Sequence, residues 1–181
     1  FAAPVHGVVP ATLPLHNLAA RLSPVMGCDE LLGVLVRRLS GQRLMTLTGC
    51  AGVGKSSLAL ALAERVLPRY RDGVWWVDLA TVEAPMSMLR HLASVLHLEP
   101  CANAAELGRQ LAARQLLLVL DGADLLLGAC RHLVHVLREA APQVSVLVLS
   151  KAIFFTAARR SSESPSRTRE SRASSRCRWQ P

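Results

Sequence analysis

Gly49-Cys50-Ala51-Gly52-Val53-Gly54-Lys55-Ser56 is the stretch that decides how this chain is read. It fits the pattern G-x-x-x-x-G-K-[ST]. Glycines let the backbone curl until successive N–H groups point inward, and the first turn of a following helix adds more donors. Such a loop cradles phosphate oxygens. Lys55 would reach the β- and γ-phosphates of a nucleotide, the Ser56 hydroxyl would ligate Mg²⁺, and the Ser57 N–H would face the α-phosphate. The alternative is a glycine-rich turn that binds nothing, but a chance match in a chain this long has a probability of about 1% or less. Cys50 lies inside the loop, where backbone donors could activate a thiol; a small spacer is the simpler reading.

Working outward, 43–48 (RLMTLT) is a short β-type run before the loop, and 55–66 reads as the helix after it. The run 73–79 (GVWWVDL) is rich in aromatic and β-branched residues and predicts a second strand. Alternation sends Trp75 and Trp76 to opposite faces, both for packing. Helices are expected over 86–98, 106–114 and 125–139. The wholly apolar 116–120 (LLLVL) suits the middle of a parallel sheet, and 144–149 (VSVLVL) is a further buried strand. Upstream, 29–39 (DELLGVLVRRL) has helical spacing, acids first and arginines last, as the helix dipole favours. Strands alternating with helices predict an α/β fold, a three-layer sandwich on a mostly parallel sheet.

Asp121 follows the apolar strand. An acid there would complete the site by holding Mg²⁺ through water; the alternative is a plain helix N-cap. Asp124, one turn on, either orients an attacking water as a catalytic residue or simply complements a helix dipole. Many P-loop hydrolases carry a catalytic acid directly after the metal-binding acid. Gly122 stands there instead, which argues against strong turnover. Ser150 and Lys151 follow the last strand and are candidates for sensing a γ-phosphate, or merely a strand end meeting solvent. His132 and His135 have helical spacing but no evident third metal ligand, and read as surface residues.

The chain of 181 residues is 51% hydrophobic with 4% aromatics, so Leu, Val and Ala must build the core. No apolar run approaches the roughly 18–20 residues a membrane span needs. The net charge of +8 is uneven: seven arginines against two glutamates put +5 into 159–181, leaving 14 basic and 11 acidic residues elsewhere. The basic balance is thus weak evidence that the body binds nucleic acid. Five scattered cysteines include no CxxC pair and read as free thiols in a cytoplasmic protein. Residues 1–22, with Pro4, Pro10 and Pro14, read as a linker, 23–158 as the nucleotide-binding domain, and 159–181 as a disordered Arg/Ser-rich tail. The change of character near 158 is abrupt, either a natural basic tail or a lost reading frame. The start at Phe1 points to a fragment.

The segments LSPVMGCDELLGVLVRRL, RLMTLTGCAGVGKSSLALALA, DGVWWVDLA, LLLVLDGADLLL and VLVLS occur in this order over about residues 14–151. Together they resemble the NB-ARC-like ATPase domain of bacterial winged-helix transcriptional regulators, of the STAND class of signal-transduction ATPases. FAAPV at the start resembles the last strand of an OmpR-type winged-helix domain. The resemblance implies an ATP/ADP switch with Mg²⁺, the adenine preference included, and DNA contact only through a domain outside this chain. It also implies self-association of the full-length protein and weak ATPase activity at most. Its sheet order 5-1-4-3-2 would leave the P-loop strand as an edge, with the last strand missing. Here the family's "GR" is Gly27-Cys28, its LDNCEHLL reads Asp121, Gly122 and Asp124, and its "TSR" reads Leu149-Ser150-Lys151. These departures weaken hydrolysis and γ-phosphate sensing more than phosphate binding. A small P-loop hydrolase and an inert truncated fragment are the competing readings.

Overall fold

The computed structural model describes residues 16–19 and 28–151. Most of the expected linker, both ends of the 23–158 unit and all of the expected tail lie outside the described residues.

The elements run α1 (Asp29–Gly41), β1 (Leu44–Thr48), α2 (Lys55–Val66), β2 (Val74–Asp78), α3 (Pro85–Val95), α4 (Ala104–Leu111), β3 (Leu117–Asp121), α5 (Leu127–Ala140) and β4 (Ser145–Ser150). The strands form one parallel sheet in the order β1-β4-β3-β2. That order is the expected one without a fifth strand, and β1 and β2 are the ends of the sheet among the described residues. The chain crosses from β1 to the far end through α2, then returns by way of β3 to β4. Right-handed crossovers running in opposite directions place their helices on opposite faces. Hence α1 and α2 cover one face, and α3, α4 and α5 the other.

Alternation along the strands supplies both faces. Leu117, Val119, Leu147 and Leu149 pack with α1 and α2. Leu118, Leu120, Val146 and Val148 pack with the three helices opposite. Trp75 and Trp76 divide between the two layers, as alternation requires. Residues 117–120 are all fully buried, because β3 is flanked by strands on both sides and by helices on both faces.

Two local differences from the sequence reading have clear causes. α4 begins before 106 because Asn103 caps it, its Oδ1 accepting from the Glu106 N–H at 2.9 Å. Within the stretch read as linker, His16 forms a parallel bridge with Val74. Asn17 then clasps Trp76, donating Nδ2 to its carbonyl at 2.7 Å and accepting its N–H at 2.6 Å. A side-chain amide carries both a donor and an acceptor, so it can stand in for a peptide at a sheet edge.

Candidate functional site

Every candidate residue lies at the carboxyl ends of the strands, where open parallel sheets bind their ligands. Residues 49–57 leave β1 and enter α2. Asp121 ends β3, and Ser150 ends β4 beside Thr48 in register. Asp78 ends β2 opposite Asp121, and its Oδ1 accepts the Ala80 N–H at 2.9 Å.

The loop owes its shape to glycine. Gly52 and Gly54 have φ of 77° and 89°, a region that costs a residue with a side chain roughly 1 kcal/mol or more. Gly54 is also the N-cap of α2, and it offers no side chain to the helix's first N–H groups. The first turn of α2 contains no acid either. Helix N-termini usually attract a capping oxygen or a carboxylate. An end with neither in its own first turn keeps its backbone donors for an external anion. Lys55 folds over this mouth, donating Nζ to the carbonyls of Gly49 at 2.7 Å and Cys50 at 2.8 Å.

The Ser56 hydroxyl donates to Asp121 Oδ2 at 2.9 Å. A hydroxyl and a carboxylate together form a hard-oxygen donor pair, the kind Mg²⁺ accepts alongside water and substrate phosphates. The residues present therefore fit that ion. Among the described residues no group of three or more His, Cys, Asp or Glu could hold a metal. His135 pairs with Glu139 at 3.5 Å on the surface.

Asp124 sits on the short 3₁₀ turn Ala123–Leu126 between β3 and α5. Its Oδ1 accepts the Ser150 hydroxyl at 2.7 Å and the Lys151 N–H at 2.7 Å. The candidate catalytic acid and the candidate sensing pair are thus bonded to each other. Sequence reasoning named all three residues and missed the link, because nothing in the spacing encodes it.

Gly122 has φ 73°, and a Cβ built there would lie 2.9 Å from the Ala80 nitrogen and 3.0 Å from the Ala80 Cβ. The β2–α3 connection thus occupies the place of a side chain. An acid directly after Asp121 would strain the left-handed turn and force Ala80 to shift.

A parallel α/β sheet, a glycine-shaped loop at a bare helix N-terminus and a facing acid define a P-loop ATPase-type domain. Residues 37–151, which take in all four strands, match the family model described as "AAA domain". The chain belongs to that family.

It is 34% identical over 140 residues to "Uncharacterized protein Rv0894" of Mycobacterium tuberculosis, spanning 75% of this chain and 35% of that protein. It is 35% identical over 116 residues to "Putative HTH-type transcriptional regulator Rv0890c" of the same organism, spanning 62% of this chain and 13% of that protein. The chain thus spans about a third or less of the curated relatives it matches. Among solved structures, one titled "Structure of Drosophila ORC bound to DNA" superposes with a TM-score of 0.53 at 22% identity, covering 71% of this chain and 39% of that one. Cdc6p from Pyrobaculum aerophilum gives 0.51 at 18%, covering 73% and 40%. These two likenesses concern the fold alone. No described helix is long and apolar enough to cross a membrane.

Proposed function

We propose that this chain binds ATP or ADP with Mg²⁺ and acts as the nucleotide switch of a regulatory ATPase, within a cytoplasmic transcriptional regulator. The observation that carries the reading is the 2.9 Å contact of Ser56 with Asp121, beside a helix N-terminus left uncapped. In this reading the backbone of 49–57 wraps the phosphates, and Lys55 neutralises the β- and γ-phosphates. Ser56 and Asp121 hold the metal. Ser150 and Lys151 stand toward the terminal phosphate. The regulator assignment draws on the name of the Rv0890c relative and on the resemblance to winged-helix regulators. DNA contact and self-association would belong to the full-length protein.

A switch is favoured over a hydrolase by two features. Gly122 cannot be exchanged for an acid without displacing Ala80. Oδ1 of Asp124, the candidate acid for activating water, already accepts two hydrogen bonds. Phosphate release from Mg-ATP tests this choice. The switch reading expects turnover well below the roughly 1–10³ s⁻¹ of ordinary enzymes. Turnover within that range, abolished by Lys55→Ala, would establish the hydrolase instead.

A further inference from the structure

Ser150 is 1% exposed at the end of β4, and its register partner Thr48 is the last residue before the phosphate loop. A serine hydroxyl carries one proton, and a carboxylate oxygen only accepts. The 2.7 Å contact therefore commits the Ser150 proton to Asp124. A hydroxyl so engaged presents lone pairs, not a donor, to any further anion. Recognition of a phosphate by Ser150 requires that the proton be handed over.

We propose that Asp124 and the terminal phosphate of ATP compete for the Ser150 proton, so that Asp124 is a positioning residue setting the preference between ATP and ADP. The inference rests on the nucleotide-binding reading above. With ADP, Ser150 stays on Asp124 and the end of β4 stays tied to the turn Ala123–Leu126. With ATP, the hydroxyl turns to the γ-phosphate and that tie loosens. Both acceptors are anionic, so one charge-assisted hydrogen bond is exchanged for another. The balance between them is therefore fine, and a single group can bias it. The consequence reaches beyond the site because Ala123 and Leu126 are buried anchors of the turn that leads into α5.

The test is a set of Mg-ADP and Mg-ATP dissociation constants for the full 181-residue chain, measured on wild type, Asp124→Asn, Ser150→Ala and the double variant. Asparagine keeps the shape but is a weaker, neutral acceptor. Asp124→Asn is expected to raise the preference for ATP over ADP by about three- to tenfold, on the scale of one charge-assisted bond partly exchanged. ADP affinity should stay unchanged. Ser150→Ala should weaken ATP alone, and the double variant should match Ser150→Ala. An unchanged ratio in Asp124→Asn, or independent additive effects, would overturn the proposal while leaving nucleotide binding intact. Should Asp124→Asn not fold, Ser150→Ala carries the test, and equal loss for ATP and ADP would overturn it. Binding of neither nucleotide by folded wild type would overturn this inference and the function together.

Discussion

The Ser56 hydroxyl and the Asp121 carboxylate meet at 2.9 Å although 65 positions separate them in the chain. Ser56 stands in the first turn of α2 and Asp121 at the end of β3, while β4 separates β3 from β1, the strand that leads into α2. The contact thus joins the N-terminal turn of α2 to the end of β3, and both groups are oxygen donors suited to one hard cation. Asp121→Asn keeps the hydrogen-bonding shape but removes the charge. It is expected to weaken Mg-dependent ADP binding by about tenfold or more, the scale on which even outer partners of a metal act. Binding in the presence of EDTA should be far less affected. Titration calorimetry with and without Mg²⁺ checks both statements.

Gly122 is held between a left-handed turn and the Ala80 backbone. Gly122→Ala should cost about 2–4 kcal/mol, combining backbone strain with overpacking against an atom that cannot swing aside. The midpoint of urea unfolding measures it. A change within about 0.5 kcal/mol, typical of an exposed surface position, would show that the β2–α3 connection yields easily.

Much of the architecture was legible because it rests on local pattern. The loop from Gly49 to Ser56 is contiguous, and residues 117–120 announce a central strand by being apolar throughout. From that strand Asp121 follows by position. The Asp124–Ser150 bond was not legible, because it depends on where β3 and β4 end relative to each other, and no periodicity carries that information. The same holds for Gly122: the sequence shows a missing acid, whereas the contact with Ala80 shows what one would have to displace. Asn17 was hidden for a different reason. A lone side-chain amide replaces strand pairing in a proline-rich stretch, so there was no alternation to read.

Cys50 is exposed within the phosphate loop, whereas Cys130 is fully buried on the core face of α5. Maleimide labelling at pH 7 should modify Cys50 and leave Cys130 untouched in the folded protein. Saturating Mg-ADP should slow labelling of Cys50 about tenfold or more, because an occupied loop closes over its own backbone and follows the affinity relation for ligand protection. Peptide mapping by mass spectrometry identifies the site. Unaltered labelling with nucleotide present would place the phosphates elsewhere.

Burial pushes the Cys130 thiol up from 9.0 to about 11. The folded protein then keeps a proton that the unfolded chain releases above 9.0. Stability from this group is complete below that pH and is lost as pH rises toward 11, at no more than about 1.4 kcal/mol for each unit crossed. Cys101 and Tyr70, also raised by desolvation, act in the same direction. Urea midpoints should therefore fall between pH 9 and 11, and Cys130→Ala should make the fall shallower. A fall of equal slope in the variant would assign the dependence to other groups.

Whether the loop ending in Lys55 and Ser56 holds nucleotide phosphates is decided by calorimetric titration of Mg-ADP and Mg-ATP into wild type and Lys55→Ala. Lys55 is the sole side-chain cation in the loop, its ammonium already positioned over the carbonyls of Gly49 and Cys50. Saturable binding by the wild type and a loss of at least about tenfold in Lys55→Ala are expected, the effect of removing one charge-assisted contact to phosphate. No binding by a demonstrably folded wild type, or equal affinities in the two proteins, would contradict phosphate binding by this loop.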